Sequence, residues 1–268
     1  PDVWNRVQAR LDAIERRHGV TVLHAIESGS RAWGFPSPDS DYDVRFIYRH
    51  SADWYLSVIE ERDVIEEGVD EFGMDVAGWD LRKALRLLLK SNPPLYEWLT
   101  APIVYRSDAA FTRRLRGLCE RLFDRKTLAY HYRSIALNQR REIGDARESV
   151  KLKKYFYAIR PLAAVAWLRA HPDGLPPMNL ASLLDGIAVP DQVRAAIDAL
   201  LAQKRVTSEM GAAPPSPVLE AWIANELASA EAFCMKIPSS PPGRKKVDRF
   251  FRDMLAEERG EGHGVNAR

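Results

Sequence analysis

The chain has 268 residues, of which 46% are hydrophobic and 28% charged, and its formal net charge is +2 at pH 7. These values are typical of a soluble globular protein with one large domain or two small ones. No apolar run reaches the length of a membrane span and no signal-peptide pattern is present, so we expect a cytoplasmic protein. The two cysteines, Cys119 and Cys234, lie far apart, so neither a disulfide framework nor a thiolate zinc site is indicated.

The first part of the chain combines short strands with helices. Trp4, Val7 and Leu11 recur at helical spacing, whereas Val44 and Phe46 alternate with other side chains as in a strand. The predicted elements are a helix over 2–18, strands over 20–27, 42–49, 63–69 and 73–79, and a helix over 81–90. A Gly- and Pro-rich loop follows the first strand, and a Ser-Asn-Pro-Pro sequence stops the second helix.

From about residue 107 the pattern is helical almost throughout. The candidate helices are 108–124, 127–145, 149–170, 190–204, 214–234 and 243–257. Pro- and Gly-rich breaks separate several of them. We therefore expect an α+β chain with three parts: a small sheet-containing domain over 1–106, an all-helical domain over 107–257 and a disordered tail over 258–268.

Charge is unevenly distributed along the chain. Residues 39–80 contain 13 acidic and 3 basic residues, and residues 113–160 contain 14 basic and 5 acidic residues. An acidic region of this kind can hold cations, and a basic one can hold a polyanion. The alternative is that both regions are ordinary solvated faces.

Two carboxylates with one residue between them occur in the stretch SGSRAWGFPSPDSDYDVR. This stretch follows the first predicted strand and includes the beginning of the second. Residues i and i+2 of a strand point to the same face, so we expect Asp41 and Asp43 to project together. Such carboxylates repel unless a cation lies between them, and Mg²⁺ prefers hard oxygen ligands. Asp75, on a neighbouring strand, is the expected third carboxylate of a two-metal site, with Asp70 and Asp80 as alternatives.

Each alternative has another expected role. Asp80 precedes the helix that begins near Leu81 and is expected to cap it, whereas Asp70 is expected in a loop. Arg45 lies on the same strand face as the paired carboxylates, so it either forms ion pairs with them or reaches a phosphate, and we favour the ion pairs.

The Gly-Ser pair before the acidic residues has features of a phosphate contact. Gly29 can bring backbone N–H groups close to a phosphate, and the Ser30 hydroxyl can add a hydrogen bond. The P-loop pattern itself is absent. Arg31 either contacts a phosphate or faces solvent.

Gly29-Ser30, ten intervening residues and then Asp41-x-Asp43 resemble the signature of the DNA polymerase β-type nucleotidyltransferase superfamily. Three further stretches resemble one branch of it, the RlaP-like predicted nucleotidyltransferases associated with RNA repair: GWDLRKALRLLLKSNPPLYEWL, APIVY and VKLKKYFYAIRPL. The similarity covers roughly residues 20–165 and is weaker beyond.

The resemblance implies a small mixed-sheet polymerase β-type catalytic domain followed by an all-helical domain that binds nucleotide or substrate. It also implies that Asp41, Asp43 and Asp75 bind two catalytic ions, Mg²⁺ or Mn²⁺. Gly29 and Ser30 would contact the phosphates of an NTP.

The implied reaction transfers a nucleoside monophosphate from an NTP to a hydroxyl and releases pyrophosphate. The resemblance suggests an RNA end as the acceptor. Transfer to a small molecule or to a protein hydroxyl is an alternative, as is a nucleotide- or nucleic-acid-binding module without turnover. The sequence leaves the oligomeric state open.

The helix expected from residue 149 is rich in lysine and tyrosine. Lys153, Lys154 and Tyr157 can bind a triphosphate and stack on a base, and Tyr155 or Tyr157 is expected to be exposed for stacking. The alternative is an ordinary basic outer face. Pro161 is expected to kink or end the first part of this helix.

Overall fold

The structure is a computed structural model that describes residues 2–143, 148–207 and 210–262. The chain divides into two compact units, each of which is described by itself below. The first unit comprises Pro1–Ser28, Asp41–Phe123 and Pro241–Arg268. The second unit comprises Gly29–Ser40 and Asp124–Ser240.

The described residues form the following elements. The helices are α1 (Asp2–His18), α2 (Gly29–Trp33), α3 (Leu81–Leu89), α4 (Pro93–Leu99), α5 (Ala109–Leu122), α6 (Arg125–Ile143), α7 (Lys153–Ala170), α8 (Leu180–Asp185), α9 (Asp191–Val206), α10 (Pro217–Lys236) and α11 (Arg244–Gly262). The strands are β1 (Thr21–Glu27), β2 (Tyr42–Arg49), β3 (Val64–Val69), β4 (Met74–Asp80), β5 (Val104–Ser107), β6 (Val150–Lys151) and β7 (Ala212–Ala213).

A mixed five-stranded sheet forms the centre of the first unit, with the strand order β3-β4-β2-β1-β5. Strands β2 and β4 are parallel, and the other neighbouring pairs are antiparallel. The predicted α+β class is therefore confirmed. Strand β5 was not predicted, because its four residues are too few to show an alternating pattern.

Helix α1 packs on one face of this sheet. Val7 and Leu11 of α1 are buried in one cluster with Val44 and Phe46 of β2 and Val76 of β4. Every second residue of β2 and β4 thus faces the core, which is the physical origin of their alternating sequence pattern.

The opposite face of the sheet carries the polar residues at the beginning of β2 and β4. Trp79, near the end of β4, stacks on Trp98 of α4 with 3.7 Å between ring centroids. Asp75 lies four residues earlier on the same strand face. Helix α4 covers the far end of this face.

The second unit is mainly helical. Helices α6, α7 and α10 pack against one another, and β6 and β7 form a two-residue ladder that the all-helical prediction did not include. Helix α7 continues through Pro161, so the helix does not end at this residue, and the alternative expectation of a kink stays a prediction. Tyr155 is fully buried and its hydroxyl donates to Glu220, so the predicted exposure of Tyr155 is also wrong.

The limits of the two units differ from those of the predicted domains, 1–106 and 107–257, and the domain division stays a prediction. Helix α11 extends five residues into the segment predicted to be disordered, and residues 263–268 lie outside the described residues. Among the helices of the described ranges, none is long and apolar enough to cross a membrane.

Candidate active site

The parallel register of β2 and β4 sets Asp43 directly beside Asp75. Both side chains are partly exposed, at 30% and 32% of their reference area. The two strands are separated by more than twenty residues of chain, so the pairing depends on backbone hydrogen bonds between them. The sequence prediction that Asp75 neighbours the acidic strand agrees with this register.

Arg45 links the two carboxylates. Its Nη2 atom lies 3.1 Å from Oδ1 of Asp43 and 2.7 Å from Oδ2 of Asp75. Its Nη1 atom donates to the carbonyl oxygens of Val44 and Asp75, at 3.1 and 2.9 Å. Arg45 therefore forms the ion pairs that its position on the strand face favoured, and the two carboxylates share one side-chain cation.

Asp41 lies one residue before β2 and is exposed. The amide of Tyr42 donates to the carbonyl oxygen of Gly73 at 2.8 Å. A Cβ atom built on Gly73, whose φ is +69°, would lie 2.9 Å from Oδ1 of Asp41. The absence of a side chain at Gly73 thus lets the Asp41 carboxylate approach the backbone that leads into β4.

The two alternative third carboxylates have structural roles. Asp70 accepts hydrogen bonds from the amides of Phe72 and Met74 and so shapes the turn before β4. Asp80 is buried, caps α3 through the amide of Arg82 and accepts a hydrogen bond from the Tyr55 hydroxyl at 2.6 Å. Burial raises the pKa of Asp80. The predicted capping role of Asp80 is confirmed.

Sequence reasoning missed Glu27, the last residue of β1. Its side chain is fully buried, with Oε1 3.0 Å from the amide nitrogen of Asp43 and Oε2 2.6 Å from the Tyr105 hydroxyl. The amide of Ser28 donates to the carbonyl oxygen of Asp43 at 2.8 Å. Glu27 therefore holds the backbone of Asp43 in place, and a charged residue at the end of an apolar strand was the available signal.

The donor set suits a hard divalent cation. Carboxylate oxygens are the ligands that Mg²⁺ and Mn²⁺ prefer, and the Arg45 guanidinium already occupies a cation position between Asp43 and Asp75. Within the described ranges, however, no three His, Cys, Asp or Glu side chains converge closely enough to form a metal-binding cluster. The structure thus assembles two of the three predicted carboxylates into one pair.

The predicted phosphate-contacting residues lie in the second unit. Gly29 has a φ of +58° and begins the short helix α2, where a turn was expected. The Ser30 hydroxyl lies 3.0 Å from the Ser40 hydroxyl, and the Arg31 guanidinium donates to the Ser40 carbonyl at 2.5 Å. Gly29 supplies the positive φ that other residues adopt with strain.

Helix α7 of the same unit packs against this segment. Tyr157 contacts Trp33 edge to face, with 6.2 Å between ring centroids, and Phe35 stacks on Phe156 at 4.9 Å. The second unit therefore brings the Gly-Ser segment and the basic helix together, although they are more than 110 residues apart.

The two lysines at the start of α7 have different surroundings. Lys153 is exposed, whereas Lys154 is half-buried and forms an ion pair with Glu142. Lys154 thus already has a carboxylate partner, which a bound phosphate would have to replace.

Two further cations of the second unit are buried, which the sequence did not indicate. Lys204 of α9 is 7% exposed and lies over the rings of Phe35 and Phe156, at 5.3 and 5.7 Å. Burial, together with the charge of Lys153, lowers the pKa of Lys204. Arg160 is buried and lies 4.7 Å from the Trp33 ring centroid. Helical periodicity treats such residues as surface positions, so only packing reveals them.

Comparison with known proteins identifies relatives of this chain. It is 42% identical over 224 residues to a Bacillus subtilis (strain 168) protein described as uncharacterized protein YcgL, covering 83% of this chain and 84% of that protein. A solved structure of a nucleotidyltransferase-like protein from Exiguobacterium sibiricum 255-15 matches with 14% identity and a TM-score of 0.27, covering 80% of this chain and 69% of the other.

A family model described as "RlaP: RNA repair pathway DNA polymerase beta family" matches residues 3–253. The match extends over nearly the whole chain and includes both units. The protein therefore belongs to the RlaP family of polymerase β-type nucleotidyltransferases and is an enzyme of that class.

Proposed function

We propose that this enzyme transfers a nucleoside monophosphate from an NTP to a hydroxyl group at an RNA end. The hydroxyl oxygen forms a bond to the α-phosphorus, the bond from the α-phosphorus to the bridging oxygen breaks, and pyrophosphate leaves. The hydroxyl proton passes to a carboxylate oxygen of the enzyme. A cytoplasmic location is part of this proposal.

The observation that carries the proposal is the Asp43–Arg45–Asp75 arrangement. Two partly exposed carboxylates on adjacent parallel strands share one cation at the beginning of the strands. Two converging carboxylates provide a place where a more highly charged cation can be bound.

We assign Asp41, Asp43 and Asp75 as the residues that would hold two divalent ions, Mg²⁺ or Mn²⁺. When bound, such ions neutralise phosphate charge and polarise the attacking hydroxyl. Asp75 also orients the attacking hydroxyl and accepts its proton. Glu27 is a positioning residue, because it acts on Asp43 through the backbone amide.

We assign NTP phosphate binding to Gly29, Ser30 and Arg31 of the segment that begins α2. Lys153 and Lys154 add positive charge, and Tyr157 provides a ring for the nucleotide base. Support comes from the packing of Trp33 on Tyr157, which joins the two sets within the second unit.

An RNA acceptor is supported by the family description, which names an RNA repair pathway. It is also supported by the excess of basic residues in segment 113–160, 14 against 5 acidic, because a polyanion releases counterions where basic side chains neutralise it. The predicted domains, 1–106 for catalysis and 107–257 for nucleotide or substrate binding, remain part of the proposal.

The test is a transfer assay with each radiolabelled NTP, Mg²⁺ and a panel of RNA, DNA, protein and small-molecule acceptors. Label on an RNA end, absent in the Asp43→Asn/Asp75→Asn variant, is the expected result. Label on protein or on a small molecule instead would reject the RNA acceptor and keep the nucleotidyltransferase. No transfer to any acceptor by the wild-type enzyme would reject the proposed reaction.

A further inference from the structure

A basic groove runs between α5 and α11, both of which belong to the first unit. It has a volume of about 600 Å³ and is lined by six cationic side chains and one carboxylate. The cationic residues are Arg113, Arg114, Arg121, Lys245, Lys246 and Arg249. The groove was not predicted, because α5 and α11 are far apart in the sequence.

Helix packing fixes the walls of this groove. Phe111 of α5 and Phe250 of α11 are buried, with 6.2 Å between ring centroids. Arg114 lies 5.2 Å from the Phe250 ring centroid and forms ion pairs with Asp253 and Glu257. The carboxylate that lines the groove is therefore already paired with Arg114.

The other five cations of the groove are exposed. In the described part of the chain, no ion pair is formed by Arg113, Arg121, Lys245, Lys246 or Arg249. Five exposed like charges close together on two packed helices create a positive local potential that attracts an anion.

The spacing of these cations follows the helix period. Arg113 and Arg121 are eight residues apart on α5, about 12 Å along the helix axis. Gly117 lies between them without a side chain, and a Cβ atom there would lie 3.3 Å from Nη1 of Arg121. Arg113 and Arg121 can therefore contact two different phosphates of one strand.

We propose that this groove binds the phosphate backbone of RNA. The groove offers guanidinium and ammonium groups, and its aromatic ring, Phe250, is buried and unavailable for stacking on bases. Backbone contacts of this kind position a nucleic acid without reading its sequence. The inference deepens the proposed function, on which the choice of RNA as the polyanion rests.

The test measures binding of a fluorescent single-stranded RNA by anisotropy at several salt concentrations, with EDTA and without NTP. The groove variant combines Arg121→Gln, Lys245→Gln and Arg249→Gln. The control variant combines Arg16→Gln, Arg205→Gln and Lys236→Gln, which removes the same charge from exposed positions outside the groove. Glutamine keeps helix propensity, and thermal melting verifies that both variants are folded.

For single strands the slope of log affinity against log salt falls by about 0.7 for each phosphate that the protein no longer neutralises. We expect the groove variant to reduce this slope by about 2 and the affinity at moderate salt by at least about tenfold. The control variant should keep the wild-type slope. Equal slopes and affinities in the two variants would overturn the groove assignment.

Two further arms identify other occupants. The first arm measures the affinity of poly-glutamate. If poly-glutamate binds the wild type as tightly as RNA does and loses as much affinity in the groove variant, the groove is a site for acidic protein segments. The second arm measures binding to phosphatidylserine vesicles. If the groove variant loses vesicle binding but keeps its RNA affinity, the groove is a site for a membrane surface. Either result would overturn the RNA proposal.

The groove proposal and the proposed reaction can be rejected independently of each other. Loss of RNA affinity in the groove variant, with no transfer by the wild type to any acceptor, would reject only the proposed reaction. Transfer by the wild type, with unchanged RNA affinity in the groove variant, would reject only the groove.

Discussion

Asp43 and Asp75 are register partners on parallel strands, and a single nitrogen atom of Arg45 contacts one carboxylate oxygen of each. Carboxylates in this position repel each other in the absence of a cation. The guanidinium therefore stabilises the folded protein without a metal, and a divalent ion bound to the same oxygens would compete with it.

Removing either charge of this pair should abolish most of the activity. We expect Asp43→Asn and Asp75→Asn each to lower kcat by at least about two to three orders of magnitude, because each weakens stabilisation of the transition-state charge. The side chains are partly exposed, so Tm should shift by only a few degrees. Steady-state transfer rates and thermal melting measure both effects.

Asp70→Asn serves as the matched control for these variants. The asparagine oxygen can still accept hydrogen bonds from the turn amides, so transfer should stay near the wild-type rate. A loss as large as that of Asp75→Asn would make Asp70 the third carboxylate.

Arg45 should oppose binding of a divalent ion. We expect Arg45→Met to lower Tm without divalent ions, because Asp43 and Asp75 then repel each other. Addition of Mg²⁺ should raise the Tm of this variant by about 3 °C more than that of the wild type. Arg62→Met, which removes an exposed ion pair with Glu66, should show the wild-type response. Identical Mg²⁺ responses in all three proteins would argue against a cation site at this pair.

Asp80 should matter for stability and not for transfer. Asp80→Ala removes the cap of α3 and leaves the buried Tyr55 hydroxyl without its acceptor, at a combined cost of about 2–4 kcal/mol. Asp80→Asn keeps the capping oxygen and should cost less. Urea unfolding measures the loss, and an inactive but fully folded Asp80→Asn would contradict the structural role.

Stability should fall as the pH drops below about 6.5. Burial lowers the pKa of His24 from its ordinary value of 6.5. Its Nε2 lies 2.9 Å from the carbonyl oxygen of Trp98, and the hydrogen bond that it donates there opposes the lowering of the pKa without reversing it. The unfolded chain therefore binds more protons between the folded pKa and 6.5, and unfolding becomes easier as pH falls.

The free energy of unfolding between pH 5 and 7 tests this. The wild-type slope from His24 can reach about 1.4 kcal/mol per pH unit, and His24→Gln should be flatter. Burial also lowers the pKa of His50, so some slope should remain in the variant. Parallel curves for the two proteins would remove His24 as a cause.

Neutralising the start of α7 should weaken NTP binding. We expect Lys153→Gln/Lys154→Gln to raise the Kd of a non-hydrolysable NTP about tenfold, or about 1.4 kcal/mol, and to reduce its salt dependence. Lys126→Gln/Lys236→Gln removes the same charge elsewhere in the second unit and should have little effect. Calorimetry measures both, and equal affinities would exclude α7 from the nucleotide site.

Local sequence was sufficient for most elements of this fold. Strand β2 occupies the predicted residues 42–49, and each long helix of the second half appears within a few residues of its predicted limits. Periodicity is a local property, because the spacing of apolar side chains within one element indicates which of its faces is buried. The same local logic predicted the Asp80 cap.

Tertiary structure alone decided which of these residues meet. The β2–β4 register pairs Asp43 with Asp75, and packing buries Tyr155, against the prediction that it is exposed. The groove likewise joins Arg121 to Lys245 across more than 120 residues of chain. Such contacts depend on strand register and helix packing between distant segments, which periodicity within a segment does not determine. The charges and their spacing were therefore determined by the sequence, whereas their partners were determined by the fold.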